Sequence, residues 1–333
     1  MRSLREFRSG KPDFYPDQAV YAEFACAELG LTFSDLDGGT GLLVRVTSKA
    51  KSVQFGAGRC SWYPQNNATA SALASDKYFT NKVLEDAGIP TLGGEYFFLH
   101  DRHRAYRPAS RNREDALAHF AKLGMHAFVK PLQGSRGDFA HALHDEASFL
   151  RYLDEVSKYY DAILIQPIFS GTECRVFLLD DEVVYSARKY PPFVIGDGVH
   201  ALGELLIAHN EALRSRGLSL VAVASDASLQ TVPAKGERCE IPGRANLSSG
   251  GTMAIEAHPS KATVELARNA RHALGLRVAA VDLFTDIAGE AIAARVIEVN
   301  ANPSIRLLEE AGRGDLILKI WRHAFSAMGL LGV

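Results

Sequence analysis

An α/β or α+β fold is predicted by three features of this sequence. Stretches with helical apolar spacing alternate with short β-type runs along the chain. Several helical stretches close on a glycine, at Gly30, Gly88, Gly124 and Gly275, where a left-handed cap ends a helix. No internal repeat or low-complexity linker interrupts the pattern, so subdomains are expected to be tightly joined rather than tethered. At 333 residues the chain is too long for one compact core and suits two or three packed subdomains.

Taken in order, Asp17 to Leu29 reads as a helix ending at Gly30. Residues 42–56 alternate enough for one or two strands, and Ala68–Ala87 reads as one helix stopped by Gly88 and Pro90. A strand at 96–100, a helix at Asn112–Leu123 and strands at 126–130 and 139–143 follow. Helix 146–158 leads into the apolar strand Ala162–Gln166. Two strands flank the turn Asp180-Asp181, and Leu202–Ser215 is a helix. The stretch 218–245 is irregular. Lys261–Leu274 is a helix, with strands near 277–285 and 291–299 and a helical tail beyond.

Composition narrows the function. Hydrophobic residues make up 47% and charged residues 23%, ordinary values for a globular protein. A formal net charge of -2 without runs of like charge argues against nucleic-acid binding by bulk charge. Cys26, Cys60, Cys174 and Cys239 form no C-x-x-C pair, so a reduced cytoplasmic setting is expected. The N-terminus lacks the apolar core of a signal peptide, and no apolar run is long enough to span a membrane. The eleven histidines show no metal-ligand spacing.

The most informative segment is VAAVDLFTDIAGEAIAARVIEVNANPS. Asp282 lies inside an apolar strand, where an unpaired carboxylate is costly and calls for a cation. Glu298 and Asn300 are two apart on the next strand and share a face. The turn Ile287-Ala288-Gly289 makes the strands antiparallel neighbours, with Asp282 roughly opposite Glu298. Three oxygen ligands would then suit a hard cation such as Mg²⁺. By itself the pattern also describes a solvated hairpin face with one capped Asp. Upstream, Phe128-Val129-Lys130-Pro131 ends a strand before the turn Leu132-Gln133-Gly134-Ser135-Arg136-Gly137. Its glycines allow backbone N–H groups to approach phosphate, and Lys130 supplies a charge. It is not a Walker loop, and taken alone a plain hairpin explains it better.

In order, these pieces are similar to a known family. The chain resembles the ATP-grasp ligases, especially the ATP-grasp part of cyanophycin synthetase and of bifunctional glutathione synthetases. Five blocks carry the resemblance: Thr69–Pro90, Phe128–Gly137, Arg188–Gly198, Asn246–Gly251, and VDLF from Val281 paired with EVNANP from Glu298. With their flanks they cover roughly three quarters of the chain. The resemblance implies an α+β ATP-grasp fold, two α+β subdomains clasping ATP, with a short N-terminal α/β region at 1–66. Residues 67–333 would form the ATP-grasp domain, with a lid at about 90–166 and a metal- and substrate-binding subdomain at about 167–333.

The resemblance also implies roles. Lys77 and Lys130 would hold ATP phosphates. Gly134, Ser135, Arg136 and Gly137 would form a mobile phosphate loop. Gln166, Pro167, Ile168 and Phe169 would form the adenine hinge, and Glu173 would bind ribose. Arg175, Lys189, Arg244 and Asn246 would line the reacting centre. Asp282, Glu298 and Asn300 would bind Mg²⁺, with Mn²⁺ as an alternative. Asp197 in G-D-G reads as a turn residue. Gln166 departs from an acidic hinge residue common in the family, and Ser304 replaces a Gly that often follows Pro303.

The implied activity is ADP-forming ligation of a carboxylate to an amine through an acyl phosphate, on amino acids or small peptides, by a standalone module that allows for a homodimer. A small-molecule kinase and a non-catalytic nucleotide-binding regulator are the competing readings. Amide product separates the ligase from the kinase, and the full set of lysines and metal ligands speaks against the regulator.

Overall fold

A computed structural model describes residues 3–56, 61–134, 137–215, 220, 227–241, 251–256, 260–287 and 293–332. The N-terminal region carries helices Leu4–Arg8 and Asp17–Leu29 before three short strands. These are β1 (Thr32–Asp35), β2 (Leu43–Thr47) and β3 (Ser52–Gly56), antiparallel in that order. Val44, Val46 and Phe55 turn inward, while Leu43, Arg45 and Gln54 face solvent, as a one-sided sheet requires. The strand β1 escaped expectation because its four residues are all partly exposed and carry no apolar alternation.

The stretch expected as one helix is two, Ala68–Ser75 and Lys77–Asp86. Asp76 explains the break. Its backbone is extended, and its carboxylate accepts the N–H groups of Tyr78 and Phe79, so one residue ends the first helix and caps the second. Lys77 is thereby placed in the first turn of a new helix rather than mid-helix.

A four-stranded antiparallel sheet follows. Its strands are β4 (Glu95–Phe98), β5 (Ala127–Pro131), β6 (His141–Leu143) and β7 (Ala162–Gln166), in the order β4-β7-β5-β6. Helices Arg113–Lys122 and Glu146–Val156 cover one face. Phe97, Val129, Ile163 and Ile165 point into this core, with Phe120 and Phe149 stacked 4.3 Å apart. Tyr96, Leu164 and Lys130 are paired across the three strands and so share the opposite face.

The second large sheet has five antiparallel strands. Strands β8 (Thr172–Leu179) and β9 (Glu182–Tyr190) are joined through Asp180-Asp181, as expected. Strands β10 (Phe193–Ile195) and β11 (Arg238–Glu240) form a separate ribbon beside helix Leu202–Ser215. Strand β12 (Thr252–Glu256), helix Lys261–Ala273, β13 (Val278–Thr285) and β14 (Arg295–Asn300) complete the unit, in the sheet order β12-β9-β8-β13-β14. The ribbon and β12 lie in or beside a stretch too irregular to read from periodicity. The chain ends in helices Arg306–Glu310 and Gly314–Ala327.

The two faces of the five-stranded sheet differ. Val176, Leu178, Ala279, Val281 and Val299 form one apolar face, packed with Leu84 and with Ala267 and Ala270 of helix Lys261–Ala273. On the other face Phe177, Tyr185, Val278 and Ala280 join Tyr21, Phe55, Trp321 and Phe325 in a core shared with both chain ends. Further along that second face the side chains become charged, and the candidate site begins there. None of the helices is long and apolar enough to cross a membrane, among the described residues.

Candidate nucleotide and metal site

The centre of the site is Asp282, fully buried within β13. It pairs in register with Arg175 of β8 on one side and Glu298 of β14 on the other. The Arg175 guanidinium donates Nε to Oδ1 at 2.7 Å and its terminal nitrogen to Oδ2 at 2.8 Å. Lys189 Nζ, from β9, donates to Oδ2 at 2.8 Å. Burial acts to raise the Asp282 carboxyl, but the charges of Arg175 and Lys189 outweigh it and hold it well below the usual range. For Arg175, burial acts to lower and Asp282 more than compensates, leaving a firmly charged guanidinium. A β-bulge between Asp282 and Leu283 kinks the β13–β14 ladder here.

Glu173 lies two residues before Arg175 on the same face, with Oε2 3.7 Å from Lys189 Nζ. Burial raises its carboxyl above the usual range, against the pull of Lys189. Across β13, Asn300 Nδ2 donates to Glu298 Oε1 at 3.2 Å, so these two side chains stand together as expected. Both are only partly buried. Their oxygens suit a hard cation. Among the described residues no three His, Cys, Asp or Glu side chains gather for a metal. A site here therefore depends on the Asn300 amide and on phosphate oxygens, and Asp282 reaches it already engaged by two cations.

Two lysines enter this field from other elements. Lys130, on β5, is 6% exposed and has no ion-pair partner among the described residues. Burial lowers its ammonium to about 8, opposed by the charge of Glu298. Lys77 donates Nζ to the carbonyl of Gly134 at 3.1 Å and its backbone N–H to that of Leu132 at 3.2 Å. Burial lowers it too, again opposed by Glu298. Both lysines thus sense the same glutamate, 168 and 221 positions away along the chain. Gly137 has φ +70, the left-handed geometry that favours glycine. Ser135, Arg136, Arg244 and Asn246 lie outside the described residues.

Gln166 ends β7 opposite Phe128, two positions from Lys130. Its side chain is buried and donates to the carbonyl of Gly93, which also accepts from Asn81 Nδ2 at 2.7 Å. Gly94 makes this possible: a Cβ there would stand 2.6 Å from Gln166 Cγ, at φ +114. The side chain thus ties the segment Ile89–Gly94 to the end of β7. Phe169 lies beneath the Arg295 guanidinium, 5.3 Å from its ring centroid. A cavity of about 360 Å³ lined by Glu85, Gly88–Gly93 and Arg295 shares no residue with the charge cluster.

Several contributors had no legible signal. Tyr185 stacks on Phe177 at 5.2 Å, and its buried hydroxyl lacks a hydrogen-bond partner among the described residues. Burial pushes that phenol up to about 12, with Arg175 opposing and Asp282 adding. From the N-terminal region, Trp62 donates its N–H to Asn302 Oδ1 at 3.3 Å, and Gln18 and Tyr63 both donate to the carbonyl of Pro303 at 3.2 Å. They grip the loop after β14 from 240 or more positions away, a distance no local pattern reveals.

The chain is similar to known proteins in sequence and in fold. The chain is 31% identical over 262 residues to the glutathione biosynthesis bifunctional protein of Mannheimia succiniciproducens, covering 71% of this chain and 33% of that one. It is 28% identical over 263 residues to the cyanophycin synthetase of Trichormus variabilis, covering 71% of this chain and 27% of that one. A bifunctional glutathione synthetase structure from Pasteurella multocida superposes with TM-score 0.57 at 20% identity, over 95% of this chain and 44% of that one. The fold is ATP-grasp. The chain spans about a third or less of the length of the curated relatives it matches. No protein-family model matches it. Within this fold Lys130 stands on the four-stranded sheet and Asp282 on the five-stranded one.

Proposed function

We propose that this ATP-grasp chain is an ATP-dependent carboxylate–amine ligase that forms an amide or peptide bond through an acyl phosphate. One observation carries the reading. Lys77, Lys130, Glu173, Arg175, Lys189, Asp282 and Glu298 come from a helix and five strands, yet they form one electrostatically coupled group. Four cations and three carboxylates give a net positive cleft suited to a nucleoside triphosphate.

A carboxylate resists attack because of its charge, and a phosphoryl group converts it into an acyl group with a good leaving group. Positioning and charge neutralisation carry most of such a transfer. Lys130 and Lys77 would hold the phosphates, and the loop Gly134, Ser135, Arg136 and Gly137 would close over them. Gln166 to Phe169 offer hinge backbone to adenine, and Glu173 is the ribose carboxylate. Lys189, Arg175, Arg244 and Asn246 are assigned to the acyl centre. Glu298, Asn300 and Asp282 would hold Mg²⁺, which supplies charge neutralisation between phosphate oxygens. An amine then attacks the acyl carbon and phosphate leaves, giving amide, ADP and phosphate. Substrates are proposed to be amino acids or small peptides.

Screening amino-acid pairs for phosphate release, with product mass, tests the reading. With a productive pair, Glu298→Gln and Lys130→Ala are each expected to lower amine-dependent ADP release by about 10²-fold or more. Release at the wild-type rate, or a phosphoester in place of an amide, overturns it.

A further inference from the structure

Asp282 has two cationic neighbours, and they are held differently. Arg175 lies directly across the ladder and gives one N–H to each carboxylate oxygen, at 2.7 and 2.8 Å. Lys189 comes from one strand further away and donates to Oδ2 alone, at 2.8 Å. The same ammonium stands 3.7 Å from Glu173 Oε2. Lys189 therefore has a second carboxylate within reach of a small side-chain movement. An ionised carboxylate offers about four lone-pair sites, and these two residues take three of them.

Asp282 is the residue paired with Glu298, which accepts from Asn300, so a hard cation held by Glu298 and Asn300 would have Asp282 as its neighbour. To use Asp282 it must approach a carboxylate oxygen that Lys189 holds or adjoins. A third positive centre on this buried carboxylate, beside Arg175 and Lys189, would be repelled strongly, because little solvent screens it. Arg175, held twice and in register, is the harder to dislodge. Lys189, held once with Glu173 nearby, is the one that yields.

We propose that Lys189 and a divalent cation compete for Asp282, and that cation binding hands the Lys189 ammonium over to the Glu173 side of the cleft. Asp282 is then a positioning residue for Lys189 as well as a metal ligand. Cation loading frees a positive side chain next to the phosphates only when the metal is in place. The proposal rests on the metal site assigned above and deepens it.

Manganese binding to the full chain without nucleotide, followed by electron paramagnetic resonance, tests both. Lys189→Met leaves the neutral Arg175–Asp282 pair intact and is expected to tighten Mn²⁺ binding by about tenfold. Lys189→Gln serves as the second variant should the first fail to fold. Glu173→Gln is expected to weaken Mn²⁺ binding more in the wild type than in the Lys189→Met background, since only the former has an ammonium to receive. Unchanged or weaker binding in both Lys189 variants, with Glu298→Gln still weakening it, overturns the competition and leaves the metal site standing. Mn²⁺ binding indifferent to Glu298→Gln overturns the metal site itself.

Discussion

Lys130 is buried as a cation with no ion-pair partner among the described residues, and that costs the fold stability. Its ammonium is lowered from 10.5 to about 8, so between these values the unfolded chain holds more protons than the folded one. Stability therefore rises with pH across that window, and the penalty is full below it. Lys130→Met is expected to raise the unfolding free energy at pH 7 by about 3 kcal/mol, since each pKa unit between 10.5 and about 8 corresponds to about 1.4 kcal/mol. The gain should fade as pH climbs toward 10.5. Denaturant titrations at pH 7 and pH 10 would show it, and a loss of stability at pH 7 would contradict the assignment. The charge of Lys130 was legible in the sequence because the FVKP strand end and the glycine turn flag it. Its burial was not, because β5 is flanked by strands from elsewhere in the chain, among them β7, whose Leu164 pairs with Lys130.

At the scale of elements, Asp76 decides where Lys77 points. Continuous helical periodicity from Ala68 to Ala87 hides the break, since a carboxylate mid-pattern reads as one more exposed position. Only the extended backbone of Asp76 and its two accepted N–H groups reveal a double cap. Asp76→Ala is expected to cost about 1–2 kcal/mol, as for other N-cap losses. It should also weaken ATP binding by displacing Lys77 from the Gly134 carbonyl. Asp76→Asn or Asp76→Ser, which can still cap, should restore most of both. Calorimetry of nucleotide binding beside thermal unfolding checks the pair, and a variant that loses stability but keeps ATP affinity would detach the cap from the site. The paired strands β13 and β14 were the easier element: their alternation and spacing put Asp282 opposite Glu298, and the register agrees.

Across the whole molecule, the cleft is closed by contacts far apart in sequence. Arg8 and Tyr21 both donate to Glu309, and Trp321 packs on Phe55 and Tyr63, so the chain's two ends form one body beneath the five-stranded sheet. The Pro90–Gly94 segment, which leads into the four-stranded sheet, meets the five-stranded one at β14, where Thr91 bridges to Val296 and Arg295 donates to the Thr91 carbonyl at 3.0 Å. A nucleotide held between the layers should stabilise both together. Adding Mg²⁺ with a non-hydrolysable ATP analogue is expected to slow amide exchange in β5 and β7 and also in β13 and β14. Protection confined to one sheet would contradict a clasp.

The sequence alone determined most of the order of helices and strands, though not β1, the ribbon, β12 or the break at Asp76, together with the ATP-grasp resemblance and the identity of the charged residues, because periodicity, caps and short motifs are local. It also foretold the pairing of Asp282 with Glu298, since a hairpin is a local object. Tertiary structure alone decided that Arg175 and Lys189 both hold Asp282, that Lys130 is buried, that Tyr185 feels Arg175 and Asp282, and that Trp62 and Tyr63 grip the loop at Asn302 and Pro303. Those facts depend on which faces meet when distant strands and helices pack, and no window of the chain contains both partners.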